Sequence, residues 1–234
     1  LAKTLKNTDM ILYNSEQTRK TTEKIFPNAR NIANCNAYII ANPHKESYIT
    51  SDKNYLLYVG NMEKRKGVDL LLKAYPRYRQ LGGTKELVLA GKMQEEDIRQ
   101  LLDDTTRTTE GIKYLDYVTH EKKHQLFADC SCFVFPSKAE GFGMPVIEAM
   151  KFKKPILISN LDIYDELIGP CVNEFDLNGT ESTQIDNLAN AMLKFNSNVD
   201  GQQYEKVVDR YSPAKLGKIV REFIDVQANL QPAD

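Results

Sequence analysis

The chain has 234 residues, of which 41% are hydrophobic and 27% are charged, and its formal net charge is −1. This composition is ordinary for a globular protein with a sizeable core, and the charge balance excludes a broad basic surface for nucleic acid. No apolar run approaches the ~20 residues that a membrane-spanning helix needs. The chain begins at Leu1 without a methionine, and we expect it to be a piece of a longer protein.

Strand-like and helical segments alternate almost throughout the sequence. The predicted strands lie at residues 10–13, 38–41, 55–59, 87–90, 112–115, 132–135 and 155–159. The predicted helices lie at residues 15–25, 68–81, 95–102, 119–127, 145–152, 187–195, 202–211 and 213–226. Strands that alternate with helices predict an α/β fold with a doubly wound, mainly parallel sheet and helices on both faces.

The turn-rich segment at residues 42–52 is the predicted boundary between domains. Residues 1–41 have the pattern of the end of another domain, and residues 53–234 form a complete doubly wound domain. In such sheets, ligands bind beyond the carboxyl ends of the strands. The residues that follow predicted strands, and that we expect to converge on this edge, are Gly60, Gly91, Tyr117, Ser137 and Gly141.

The sequence predicts no metal site. Cys130 and Cys132 lack a second pair that would complete a zinc site, and the chain contains no Asp-x-Asp motif. We expect the cysteines to be buried free thiols. His120 and His124 could share one face of a helix, but no third ligand lies near them in the sequence, so we expect a solvated helix face.

The most informative segment runs from Ser137 to Met150. It predicts a strand end, a loop with two glycines and a helix that starts at Pro145, which suits the first helical position because it needs no N–H there. A glycine loop that opens onto a helix N-terminus attracts anions such as phosphate. Glu140 and Glu148 flank this loop, so the segment fits a ligand with both a phosphate and several hydroxyls.

A second candidate anion site follows the first strand of the main domain. Residues 60–67 combine a glycine turn with three adjacent cations and lead into a helix. A solvated basic loop is the alternative explanation, but the position after a parallel strand favours phosphate binding.

Four blocks in this order resemble the C-terminal, donor-binding domain of GT-B glycosyltransferases of the retaining family 4 type. The blocks are YVGNMEKRKG at 58–67, LVLAGK at 87–92, the region 128–148 with its two glutamates eight apart, and KPILIS at 154–159. The resemblance covers about residues 54–228 and implies a Rossmann-like domain, with residues 1–41 as a remnant of the N-terminal, acceptor domain.

The resemblance implies a role for each matching residue. Lys66 would bind the donor diphosphate. The family often has an arginine after the first glycine, where this chain has Asn61, so either Arg65 supplies the second charge or diphosphate binding is weaker. Glu140 would contact hydroxyls of the transferred sugar and stabilise positive charge at its anomeric carbon, and Glu148 would accept hydrogen bonds from the ribose.

The remaining donor contacts implied by the resemblance are mostly backbone contacts. Tyr117 and Val118 would lie against the base, and backbone N–H groups near Phe142, Gly143 and Met144 would support the phosphates and the sugar. The further members of the implied donor site are Gly60, Asn61 and Gly91. No metal or other cofactor is expected, because Lys66, Arg65 and the helix N-terminus would stabilise the leaving group.

The function implied is transfer of a sugar from a UDP-, GDP- or dTDP-linked donor to a glycan or lipid-linked glycan acceptor, with retention, in polysaccharide or glycoconjugate synthesis. The acceptor would bind the missing N-terminal domain, so we expect the isolated fragment to be inactive. The resemblance implies a cytoplasmic protein, and association of the full-length protein with the inner face of a membrane stays open. The alternatives are a non-catalytic nucleotide-sugar-binding module and an epimerase or phosphorylase-like GT-B enzyme.

Overall fold

The computed structural model describes residues 13–26 and 50–230, with the side chains of 216, 219, 223, 224 and 226–230 excepted. The strand predicted at 38–41, most of that at 10–13, and Cys35 lie outside these residues. The predicted domain boundaries therefore stay a prediction.

Six strands form one sheet in which every pairing is parallel. The strands are β1 (Tyr55–Val59), β2 (Glu86–Ala90), β3 (Ile112–Tyr114), β4 (Cys132–Phe135), β5 (Ile156–Ser159) and β6 (Asn173–Phe175). Their spatial order is β3-β2-β1-β4-β5-β6, so the direction of winding reverses between β1 and β4. This arrangement confirms the predicted α/β fold with a parallel sheet, and it creates a switch point between β1 and β4 where ligands bind in doubly wound sheets.

Nine helices lie in the described part of the chain. They are α1 (Glu16–Ile25), α2 (Val68–Gln80), α3 (Glu96–Thr108), α4 (His120–Asp129), α5 (Met144–Lys151), α6 (Asp162–Leu167), α7 (Glu181–Lys194), α8 (Gly201–Arg210) and α9 (Pro213–Leu230). Ser15 and Thr119 cap α1 and α4, because each side-chain oxygen accepts a hydrogen bond from the backbone N–H three residues later.

The core follows from the continuous apolar runs of the central strands. All five residues of β1 and all four of β4 and β5 are buried. Since successive side chains in a strand point to opposite faces, burial of consecutive residues shows that both faces of the sheet are covered. Stacked rings of Tyr58, Phe133 and Phe135 join β1 to β4 beneath the switch point.

Several predicted boundaries differ from the structure. Helix α3 extends to Thr108, and Thr105 in its last turn is buried. Helix α7 begins at Glu181, with Thr180 as its cap. Helix α6 and strand β6 were not predicted, because each is short and carries several polar residues. None of the helices in the described residues is long and apolar enough to span a bilayer.

Candidate functional site

The loops after β1 and β4 meet at the carboxyl edge of the sheet. Between β1 and α2, residues Lys64–Lys66 form a single 3-10 turn that ends at Gly67. Gly67 has a φ of 69°, and a Cβ at this position would lie 1.8 Å from the Pro136 carbonyl oxygen. The Lys138 N–H also donates to the Arg65 carbonyl at 2.9 Å. Only glycine permits this approach, so the basic turn is fixed against the loop that carries Glu140.

The central contact of the site is an ion pair between Lys66 and Glu140. Lys66 Nζ lies 2.7 Å from Glu140 Oε1, and the two side chains are only 15% and 5% exposed. The Ser137 hydroxyl donates to the same oxygen at 2.5 Å, and Lys66 Nζ lies 5.4 Å from the centre of the Phe135 ring. No described residue donates to Glu140 Oε2, so one oxygen of this carboxylate and part of the Lys66 ammonium can still bind a ligand.

The other cations of the site are also paired with carboxylates. Arg65 is tied to Glu63 at 2.7 Å and donates to the Ala139 carbonyl at 3.1 Å. The remaining pairs are Lys64 with Asp97 and Lys138 with Asp69. The sequence predicts a basic loop, but in the folded chain each of these cations forms an ion pair with a carboxylate. Binding of an anion therefore depends on which of these ion pairs is weak enough to break. The pair of Lys64 is about half exposed and is weak, while that of Lys66 is mostly buried.

The glycine loop opens onto α5 as predicted, with one correction. The helix begins at Met144, so Pro145 occupies the second helical position and Gly143, with a φ of 82°, is the cap. Phe142 is buried, with its ring edge against Tyr211, and can face a ligand only through its backbone. The N–H groups of Gly143 and Met144 have no acceptor among the described residues, as expected for a first helical turn that can bind an anion.

A second backbone junction joins the loops after β1, β2 and β3. Gly91 has a φ of 148°, and a Cβ there would lie 1.8 Å from the Gly60 carbonyl oxygen. The Gly91 N–H donates to the Asp116 carbonyl at 2.8 Å. Gly60 and Gly91 therefore lie together because the loops that carry them pack closely, and this packing leaves no room for a Cβ on Gly91. Asn61 is exposed, and its carbonyl accepts the Tyr58 hydroxyl at 2.8 Å.

The turn after β3 presents an exposed aromatic ring. Tyr117 is 67% exposed, and Lys92 Nζ lies 5.3 Å from the centre of its ring. Val118 packs against the core. The structure therefore exposes the side chain of Tyr117 at this edge of the sheet, and not only its backbone.

Glu148 is held by a residue that the sequence analysis did not single out. Lys123, on α4, places its Nζ 2.9 Å from Glu148 Oε1 and 3.0 Å from Oε2, and both side chains are less than one-fifth exposed. His124, the next residue, was predicted to be solvated but lies partly buried with its ring 5.7 Å from that of Phe152. Packing of α4 on α5 therefore sets the Lys123–Glu148 contact.

The sequence did not predict the roles of two further residues of the site. Ser137 was noted only as a strand end, but it orients Glu140. The Tyr164 hydroxyl is buried without a hydrogen-bond partner among the described residues, and it would lie 3.3 Å from a Cβ on Gly143. Burial, to which the Glu140 charge adds, raises the pKa of Tyr164 well above its usual value. A short helix with a mixed polar pattern gave no signal for this position.

The thiols of the described chain are not ligands of a common site. Cys130 and Cys132 are buried free thiols, as predicted, and Cys171 is partly buried. Burial raises the pKa of Cys130 to about 12, so its thiol stays protonated at neutral pH. Within the described residues, no group of three or more His, Cys, Asp or Glu side chains could hold a metal ion.

Comparison with known families agrees with this arrangement. The family model described as glycosyl transferases group 1 matches residues 40–210. The chain belongs to this family. The predicted GT-B resemblance is thereby confirmed, and the carboxyl-edge residues described above are the candidate donor site of a group 1 glycosyl transferase.

The relatives of this chain include two O-antigen transferases. It is 38% identical to the O-antigen chain mannosyltransferase B of Escherichia coli over 138 residues, which are 54% of this chain and 34% of the relative. It is 27% identical to the O-antigen biosynthesis glycosyltransferase WclY of Escherichia coli over 176 residues, 75% of this chain and 47% of the relative. The chain thus spans less than half of these relatives.

A solved structure supports the same fold. A variant of S. aureus TarM, crystallised with fondaparinux, alpha-GlcNAc-glycerol and UDP, matches with a TM-score of 0.70 at 16% identity. The match covers 95% of this chain and 45% of TarM. At this identity the likeness shows the fold alone.

Proposed function

We propose that this glycosyl transferase binds a nucleotide-diphosphate sugar between the 60–67 and 136–143 loops and transfers the sugar, with retention, to a glycan acceptor. The observation that carries the proposal is the buried Lys66–Glu140 pair, which lies where the loops after β1 and β4 meet and beside the start of α5. A cation, a carboxylate and backbone N–H groups that lack an acceptor among the described residues meet at one switch point, and together they suit a ligand with both phosphates and hydroxyls.

The diphosphate would bind Lys66 and the first turn of α5. The Lys66 ammonium has three N–H donors and gives one to Glu140, so it can bind a phosphate oxygen without losing that partner. Arg65 is half exposed, and its pair with Glu63 is open enough for the guanidinium to turn toward the second phosphate. These cations and the Gly143 and Met144 N–H groups would stabilise the negative charge of the leaving group, and we propose that they do so without a metal cofactor.

Glu140 would act on the sugar through its second oxygen. Oε1 accepts hydrogen bonds from Lys66 and Ser137. Oε2 can accept a hydrogen bond from a sugar hydroxyl, and its negative charge can stabilise the positive charge that develops at the anomeric carbon. Glu148 would accept hydrogen bonds from the ribose hydroxyls, and the exposed ring of Tyr117 would lie beside the base.

The acceptor side would come from the rest of the protein, since the chain spans less than half of its relatives. The names of these relatives support a mannosyl donor and an acceptor in O-antigen or similar polysaccharide synthesis. We place the full-length protein in the cytoplasm, where its acceptor would meet it at the inner face of the membrane.

Calorimetric titration of this chain with UDP-, GDP- and dTDP-linked sugars, including GDP-mannose, tests donor binding. We expect one base to bind and the chain alone to transfer little. Absence of binding to all three classes would refute the proposal. In the full-length protein, donor binding without transfer would instead identify a non-catalytic module, and conversion of the donor without an acceptor would identify an epimerase.

A further inference from the structure

The Lys123–Glu148 ion pair bridges two helices that both start at the carboxyl edge of the sheet. Helix α4 begins directly after the turn that carries Tyr117, and α5 begins at the glycine loop. The ring of Phe127 stacks on that of Phe152 at 5.7 Å and holds α4 against α5. Lys123, in the first turn of α4, is therefore held at the Glu148 carboxylate, and its side chain is less than one-fifth exposed.

The contact leaves the carboxylate half occupied. Nζ approaches both oxygens, at 2.9 and 3.0 Å, and so uses about two of the roughly four lone-pair positions of the carboxylate. No other described residue donates to these oxygens, so two acceptor positions remain, one on each oxygen. This is the number that the two adjacent hydroxyls of a ribose require.

A competing cation makes this orientation depend on Lys123. Lys151 lies one turn further along α5, is partly buried, and interacts electrostatically with both Glu148 and Lys123. Without Lys123, the Glu148 carboxylate would be drawn along its own helix toward Lys151, because residues three apart on a helix are neighbours.

We propose that Lys123 is a positioning residue of the donor site, which holds the Glu148 carboxylate with both oxygens turned to the ribose hydroxyls of the nucleotide. The inference rests on the proposed donor function. It assigns Lys123 no contact with the phosphates, and it predicts that Lys123 matters only for ligands that have ribose hydroxyls.

The test compares Lys123→Met with the matched control Lys122→Met, which changes an exposed lysine one residue earlier on the same helix. Each variant is titrated with UDP, GDP and dTDP and with the 2′,3′-dideoxy analogue of whichever binds the unaltered chain. We expect Lys123→Met to weaken binding of the natural nucleotide about tenfold and to leave the dideoxy analogue unchanged within about twofold. Lys122→Met should change neither, and Lys123→Arg should restore most of the affinity.

The outcomes separate this inference from the proposed function. If the unaltered chain binds no nucleoside diphosphate, the proposed function fails and the inference with it. If it binds, but Lys123→Met weakens the natural nucleotide and the dideoxy analogue equally, Lys123 does not act on the ribose and the inference is overturned. The inference is also overturned if Lys123→Met still weakens binding in a Glu148→Gln background. Thermal unfolding of each variant identifies any loss of folded protein.

Discussion

Substitution of Lys66 by methionine should lower the stability of the chain and its affinity for nucleotide by separate mechanisms. Methionine retains most of the apolar stem of lysine, so the change removes mainly the charge. What remains is a Glu140 carboxylate that is 5% exposed, with the Ser137 hydroxyl as its one hydrogen-bond donor among the described residues.

The magnitudes follow from this burial. Truncating one partner of a buried ion pair costs about 3–5 kcal/mol, and the 15% exposure of Lys66 together with the Ser137 bond reduces this to about 2–3 kcal/mol. Loss of one charge-assisted contact to the diphosphate should separately weaken binding about 10- to 100-fold.

Urea unfolding measures the first effect, and calorimetric titration with the preferred nucleoside diphosphate measures the second. The double variant Lys66→Met with Glu140→Gln should recover most of the lost stability, because no buried charge is left unpaired, but it should not recover the affinity. Lys64→Met is the matched control, since its pair with Asp97 is about half exposed, and little change is expected in either measurement.

Two results would refute the reasoning. If the double variant is as unstable as Lys66→Met, the loss does not come from the orphaned carboxylate. If Lys66→Met binds nucleotide as tightly as the unaltered chain, Lys66 is not at the diphosphate.

Two further predictions concern the backbone and the pH dependence. In urea unfolding, Gly67→Ala should lower the free energy of unfolding by about 3 kcal/mol or more, because the new Cβ would lie 1.8 Å from the Pro136 carbonyl oxygen. The control is Gly82→Ala, which also has a positive φ but no atom within 4 Å of the new Cβ. It should lower the free energy of unfolding by only about 1–2 kcal/mol. Burial lowers the pKa of His124 below its ordinary 6.5, so the unfolded chain takes up this proton first and stability should fall as the pH drops below about 6.5. His124→Gln should flatten that part of a curve of stability against pH. An unchanged slope in this variant would contradict the assignment.

The central strands were predictable because their signals are local. Runs such as those of β1 and β4 are wholly apolar and end at glycine or proline, which fits a strand covered on both faces and no other element of that length. The caps at Ser15 and Thr119 are equally local, since each needs only a hydroxyl three residues before the donor it satisfies.

The missed elements lack such signals. Helix α6 buries Ile163, Tyr164 and Leu167 among three acidic residues, and its burial is decided by what packs over it. The last turn of α3 is polar and rich in threonine, and one of its residues, Thr105, is buried against the rest of the fold. In both cases contacts with the rest of the fold outweigh a weak local preference.

The sequence by itself determined five of the six strands of the sheet, the glycine loop before α5 and the identity of most residues that reach the carboxyl edge. These follow from residue type and spacing, because strand patterning and turn chemistry are short-range. Only the tertiary structure decided the pairing of charges. Lys66 and Glu140 are 74 positions apart in the chain, and Lys123 and Glu148 are 25 apart. Whether a cation is free for a phosphate or bound to a carboxylate depends on the distance between atoms in the folded chain, and that distance leaves no trace in the local sequence.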